Sequence, residues 1–132
     1  MGGLARLKLL LDTHIWIWLV TGSARLKVLP TLRDANNELW LSPLNTWEVL
    51  TLERKRRIAL DREPRDWVAN ATAGTQEAPL THQIVLAARD LPLHDDPADR
   101  LLAATALVLN LTLVTADEQL LNLTSIRTMA NR

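Results

Sequence analysis

The sequence of 132 residues contains no cysteine, no tyrosine and no phenylalanine. Without thiols there is no disulfide scaffold, no thiolate zinc site, no iron–sulfur cluster and no Cys nucleophile. Neither sign of charge prevails: 15 Lys and Arg stand against 15 Asp and Glu. That balance argues against a polycation gripping nucleic acid through bulk charge. Glycine is scarce, and Gly22 and Gly74 stand alone, so no glycine-rich phosphate loop is present. No uncharged apolar run approaches the roughly 18 residues of a membrane span, and no targeting segment is recognisable. A cytoplasmic location with no membrane partner is therefore expected.

What remains is an ordinary globular mixture, 48% hydrophobic and 23% charged, with five Trp as its aromatic residues besides His. The length suits a single domain over residues 1–132. Leu7 to Leu11 reads as a buried strand and Ile15 to Val20 as a buried helix, broken at Gly22. Pro30 opens a second helix, and Glu38 to Leu41 forms a second strand. Ser42-Pro43 then combines an N-cap with a proline at the first helical position, ahead of Leu44, Trp47, Val49, Leu50 and Leu52. Pro64, Thr81 and Asp96-Pro97 announce three further helices, the last running to Leu109. Leu111 to Thr115 and Ser125 to Met129 are the remaining strands, with a short helix capped by Asp117 between them. Strands alternating with helices, and short apolar runs such as Leu9-Leu10-Leu11, imply an α/β chain with a parallel sheet covered on both faces.

In such a sheet, ligands bind beyond the carboxyl ends of the strands. Asp12, Asp117 and, past Ser42, Glu48 fall there, while Asp96 and Asp99 start the long helix. Asp12, Asp96 and Asp117 each also read as a helix cap, and Asp99 sits where a capping box ends. Glu48 is too far inside its helix to be a cap, and lies on one stripe with Ser42 and Asn45. Asp12, Glu48, Asp99 and Asp117 brought to one end of the sheet would repel and raise one another's pKa, a conflict that a divalent cation removes. Oxygen ligands suit Mg²⁺ or Mn²⁺, which activate water for phosphodiester cleavage.

The segments Leu9-Leu10-Leu11-Asp12-Thr13-His14, Ser42-Pro43-Leu44-Asn45-Thr46-Trp47-Glu48-Val49, His94-Asp95-Asp96-Pro97-Ala98-Asp99-Arg100 and Leu113-Val114-Thr115-Ala116-Asp117 resemble, in order, the motifs of the PIN-domain family. More narrowly they resemble its VapC-type toxins. The resemblance spans nearly the whole chain. It implies a three-layer α/β/α domain and a metal-dependent endoribonuclease paired with an antitoxin and forming a homodimer. It also implies Asp12, Glu48 and Asp99 as the main metal-binding acids, Asp117 as a fourth, and supporting roles for Thr13, Ser42, Asn45, Asp96 and Thr115. Asn45, Asp95 and Ala98 depart from the commoner family residues, but no expected metal ligand is lost. A catalytically silent binding module on the same fold is the alternative. A phosphate-accepting receiver domain fits poorly, because the last lysine is Lys55.

Arg54, Lys55, Arg56 and Arg57 form a basic cluster that reads either as a solvated helix end or as an RNA contact. Trp40 and Trp47 are expected in the core, and Trp16 or Trp18 on an exposed groove. His14, His82 and His94 lack the spacing of metal ligands, and none is taken as one.

Overall fold

The computed structural model describes residues 6–132, so the first five residues of the expected 1–132 domain lie outside the described residues. The chain runs β1 (Lys8–Leu11), α1 (Thr13–Thr21), α2 (Leu29–Arg33), β2 (Glu38–Leu41), α3 (Pro43–Arg54) and α4 (Pro64–Thr72). It continues β3 (Gln76–Glu77), α5 (His82–Arg89), α6 (Pro97–Leu109), β4 (Thr112–Thr115), α7 (Glu118–Leu121) and β5 (Arg127–Ala130). Among the described residues, no helix is long and apolar enough to cross a membrane.

The five strands form one parallel sheet in the order β3-β2-β1-β4-β5. β1 is central, and its Leu9, Leu10 and Leu11 are fully buried. Because side chains alternate across a strand, Leu9 and Leu11 join a core with Ile15, Trp16, Val49 and Trp67 from α1, α3 and α4. Leu10 joins the opposite core with Ile84, Leu102, Ala103 and Leu120 from α5, α6 and α7. Each buried leucine contributes about 1.5–3 kcal/mol, so this one short strand anchors both helical layers. The three-layer α/β/α arrangement expected from the sequence is the one observed.

From β1 the chain moves outward through β2 to β3, then returns to β4 on the other side of β1. The carboxyl ends of β1 and β4 thus flank the reversal of strand order, where open α/β sheets hold their ligands. β3, which the sequence reading did not include, has two exposed residues and pairs with the end of β2.

Expectations about tryptophan are corrected in part. Of Trp16 and Trp18, one of which was expected on an exposed groove, Trp16 is buried and Trp18 half-buried. Trp16 packs edge-on against Trp67 with centroids 5.2 Å apart, and its Nε1 donates to the Ala71 carbonyl at 3.1 Å. Trp47 is not in the core but 63% exposed. Asn45, two residues earlier on α3, takes the fully buried position instead. Trp40 is half-buried against the α5–α6 core.

Candidate metal-binding active site

Asp12 follows the last residue of β1 and caps α1. Its Oδ1 accepts the Thr13 N–H at 2.8 Å, and its Oδ2 accepts the Thr115 hydroxyl at 2.7 Å. Thr115, the last residue of β4, also receives the Asp117 N–H at 3.0 Å. With an amide donor on its oxygen, the Thr115 hydroxyl directs its one proton at Asp12. Capping and site roles therefore coexist in Asp12.

Glu48 is presented by the same device. Thr13 Oγ1 donates to Glu48 Oε1 and accepts from Asn45 Nδ2 at 3.1 Å. Asn45 Nδ2 also donates to the Leu11 carbonyl at 3.0 Å, while its Oδ1 accepts the Ser42 N–H at 2.8 Å. A carbonyl on one side and an amide donor on the other fix which end of the Asn45 amide is which. Among the described residues, Ser42 makes no hydrogen bond to any of the acids. It caps α3, with its Oγ accepting the Leu44 N–H at 3.1 Å, and acts on the site through Asn45.

The other wall comes from the start of α6. Asp96 caps this helix, with Oδ1 accepting the Asp99 N–H at 3.1 Å. The Asp99 side chain turns away from the cap and takes a hydrogen bond at Oδ2 from His94 Nε2, 2.8 Å away. Asp117 is half-buried and caps α7, accepting the Gln119 N–H at 2.8 Å.

Burial pushes the carboxyls of Asp12, Glu48 and Asp99 above their ordinary pKa values. Hydrogen bonds from Thr115 and Thr13, from Thr13, and from His94, respectively, oppose the rise. Mutual repulsion adds to it: Asp12 feels Asp117, Glu48 feels Asp12, Asp99 and Asp96, and Asp99 feels Asp96, Asp12 and Asp117. Asp12, Glu48, Asp99 and Asp117 thus lie near enough to feel one another's charge, but among the described residues the side chains whose ligand atoms fall within 4.8 Å of one another are His94, Asp96 and Asp99. Among the described residues, ion pairs join Arg6 to Glu38, Arg62 to Asp61 and Arg89 to Asp90. Only the His94–Asp99 pair reaches the cluster.

His94 and Arg100 lie beside these acids, and neither was assigned to the site from the sequence. His94, Asp96 and Asp99 each offer a ligand atom, all within 4.8 Å of one another. Arg100 Nη2 donates to the carbonyls of Ala88 and Arg89 at 2.6 and 2.8 Å, and Nη1 to that of Leu93 at 2.6 Å. It thereby ties the end of α5 to the segment carrying His94 and Asp96. A cation in the first turn of a helix opposes the helix dipole, and that misfit was the available signal of its outside role.

The basic cluster divides. Lys55 borders a groove that also contains Glu48, whereas Arg56 and Arg57 line a separate depression with Ile58 and Leu60. Arg56 adopts φ 59°, which turns the chain away at the end of α3.

The PIN-domain family model matches residues 9–125, a stretch that contains all of these acids. The chain belongs to the PIN-domain family. Nucleases of the PIN-domain family generally use a divalent metal. Among curated proteins, the chain is 29% identical over 114 residues to Ribonuclease VapC22 of Mycobacterium tuberculosis, covering 84% of this chain and 88% of that protein. Among solved structures, this PIN domain superposes with TM-score 0.69 on VapBC2 from Rickettsia felis bound to a promoter DNA fragment. That match has 15% identity and covers 94% of this chain and 98% of the other. It superposes with TM-score 0.65 on DNA-bound VapBC from Salmonella typhimurium, at 16% identity, covering 96% and 99%. At these identities the structural likeness speaks for the fold.

Proposed function

We propose that the protein is a metal-dependent endoribonuclease, the toxin of a VapBC-type toxin–antitoxin pair, acting in the cytoplasm as a single domain over residues 1–132. The observation that carries this reading is the acidic cluster, which has His94 beside it but no Lys or Arg partner among the described residues. Asp12, Glu48 and Asp99 are driven toward protonation by burial and by one another. The relative named a ribonuclease and the neighbours named VapBC support the activity and an antitoxin partner.

The residues fit a hard divalent cation such as Mg²⁺ or Mn²⁺. Their donors are carboxylate oxygens, held by neutral hydroxyl and amide groups that leave the negative charge in place. Asp12, Glu48, Asp99 and Asp117 would hold the ion, which when bound supplies charge for the phosphate and activates water. The chain's own part is orientation. Thr115 fixes Asp12, Thr13 fixes Glu48, and Asn45 fixes Thr13, so these two carboxylates are oriented before an ion would arrive. Asp96 holds the first turn of α6, and with it Asp99, in register. Lys55, Arg54, Arg56 and Arg57 are exposed cations available to RNA phosphates. Exposed Leu80, Val85 and Leu86 at α5 offer a homodimer an apolar surface to bury.

Cleavage of single-stranded RNA by the purified protein in Mg²⁺ or Mn²⁺, lost with EDTA and in Asp99→Asn, is the expected result. Cleavage that survives both changes refutes the metal site. RNA binding without cleavage under any divalent ion favours the silent binding module instead.

A further inference from the structure

Beside the acidic cluster, a groove of about 510 Å³ runs between α3 and the start of α6. Trp47, Glu48 and Lys55 line it from one side, Pro97 and Ala98 from the other, and His14 also borders it. Its size is within the range of small-ligand sites.

Trp47 differs from the other four tryptophans. Trp16 and Trp67 pack on each other in the core, Trp40 Nε1 donates to Glu38, and Trp18 leans on the His14 ring. Trp47 is 63% exposed and makes no side-chain hydrogen bond among the described residues. The α3 positions that face the core are Asn45 and Val49, so the fold does not need an indole at 47. Yet it stands next to Glu48, whose carboxylate belongs to the acidic cluster, and it shares a groove with Lys55, the C-cap residue of the same helix.

We propose that Trp47 is a stacking platform for one base of a single-stranded RNA, at a nucleotide flanking the bond presented to the acids, with Lys55 on the adjoining phosphate. This rests on the ribonuclease reading above and names how that site receives its substrate. A flat π-face accepts any unpaired base, and such stacking is the common means of holding single strands. The acids repel the RNA backbone, so an attractive apolar contact and a nearby cation are what the groove has to offer the strand. Bases in a duplex are not available to the indole, which makes unpaired RNA the substrate class. A second copy of this chain is a poorer occupant. Interface centres are depleted of charge, and this groove carries Glu48, Asp96 and Lys55.

The test uses a short mixed-sequence oligoribonucleotide, the same oligomer with abasic positions, and a duplex form. Binding is measured by tryptophan fluorescence and anisotropy in the cleavage-deficient Asp99→Asn background with Mg²⁺ present. The single strand is expected to quench fluorescence, and the abasic and duplex forms to quench far less. Trp47→Ala should abolish the quench and weaken binding about tenfold. Trp47→Phe should retain most of the affinity, and both variants should melt close to the parent because residue 47 is outside the core. In the cleavage-competent protein, Trp47→Ala should raise KM more than it lowers kcat.

Unchanged binding and quenching in Trp47→Ala would overturn the stacking role while leaving the ribonuclease reading intact. If wild type binds RNA with a Trp47-dependent quench but never cleaves, the ribonuclease reading fails and the platform stands. A wild-type dimer that Trp47→Ala splits, with RNA affinity unaltered, would assign the residue to an interface between copies and overturn the proposal.

Discussion

On one wall of the acidic cleft, Asp12 and Glu48 are held by a chain of side-chain hydrogen bonds running through Thr115, Thr13 and the fully buried Asn45. On the other wall, Asp96 and Asp99 sit at the start of α6, where Asp96 is exposed and Asp99 is steadied by a helix cap and a single histidine. The first wall is part of the core and the second is attached to it, with Arg100 fastening the segment that bears His94. On the metal-site proposal, a cleft built this way would keep two carboxylates fixed while the others adjust to an ion and a phosphate. It also predicts that equal losses of ion binding on the two walls will carry unequal costs in stability.

The largest effects should be on activity and fall on both walls alike. Glu48→Gln and Asp99→Asn should each lower RNA cleavage in Mg²⁺ by more than about a hundredfold, since loss of even a supporting group typically costs 10–100-fold. Initial rates on a single-stranded RNA measure this. If one of the two retained near-normal rates over a range of Mg²⁺ concentrations, the corresponding wall would have no part in the chemistry.

Next in size is a difference in stability. Asn45→Ala strips partners from the Leu11 carbonyl and the Ser42 N–H and frees the Thr13 hydroxyl to turn from Glu48. Leaving buried groups unpaired costs about 2–4 kcal/mol in all. Asp96→Ala removes an N-cap from an exposed helix start, worth about 1 kcal/mol. Denaturant unfolding of the two variants should show the first loss clearly exceeding the second. Equal losses would mean that the walls do not differ as their hydrogen bonds indicate.

The same contrast explains what was legible in the sequence. Helix starts such as Ser42-Pro43 and Asp96-Pro97 declare themselves locally, because a cap and a fixed proline φ need only their neighbours. The acids were legible because strand ends could be located and ligands gather there. Burial along α3 was not, and the reason lies in Asn45 and Trp47. Hydrophobicity puts the indole inside and the amide outside, yet Asn45 is buried because three partners wait for it, two of them on β1 and α1, more than 30 residues away. Trp16 was misread for a related reason: α1 is apolar on almost every side, so its pattern carries no phase to say which face points inward. β3 consists of two exposed polar residues and exists only as a partner for β2, which no local propensity can announce. His94 lacked ligand spacing because its partner is the side chain of an acid already in the site, not a second histidine.

The smallest expected effect, a few degrees in melting temperature, concerns the cluster before an ion binds. Burial raises the folded pKa values of Asp12, Glu48 and Asp99 above those of ordinary carboxyl groups. For such groups the fold favours the protonated form. Their stabilising contribution is complete below the unfolded pKa and disappears as pH rises through the folded one. The ion-free protein should therefore lose stability to its carboxylates as pH rises above their ordinary range near about 4 and through their raised folded values, and Asp99→Asn should be spared its share. Melting curves in EDTA should show the variant gaining on wild type as pH rises, by a few degrees near neutrality. Adding Mg²⁺ should reverse the order, because an ion that binds only the folded state stabilises wild type by mass action. A gap that stays constant with pH, or a wild type indifferent to Mg²⁺, would mean that the buried charge on the α6 wall is already balanced by its own surroundings. In that case His94 would be the group to replace next, since among the described residues it is the titratable side chain hydrogen-bonded to Asp99.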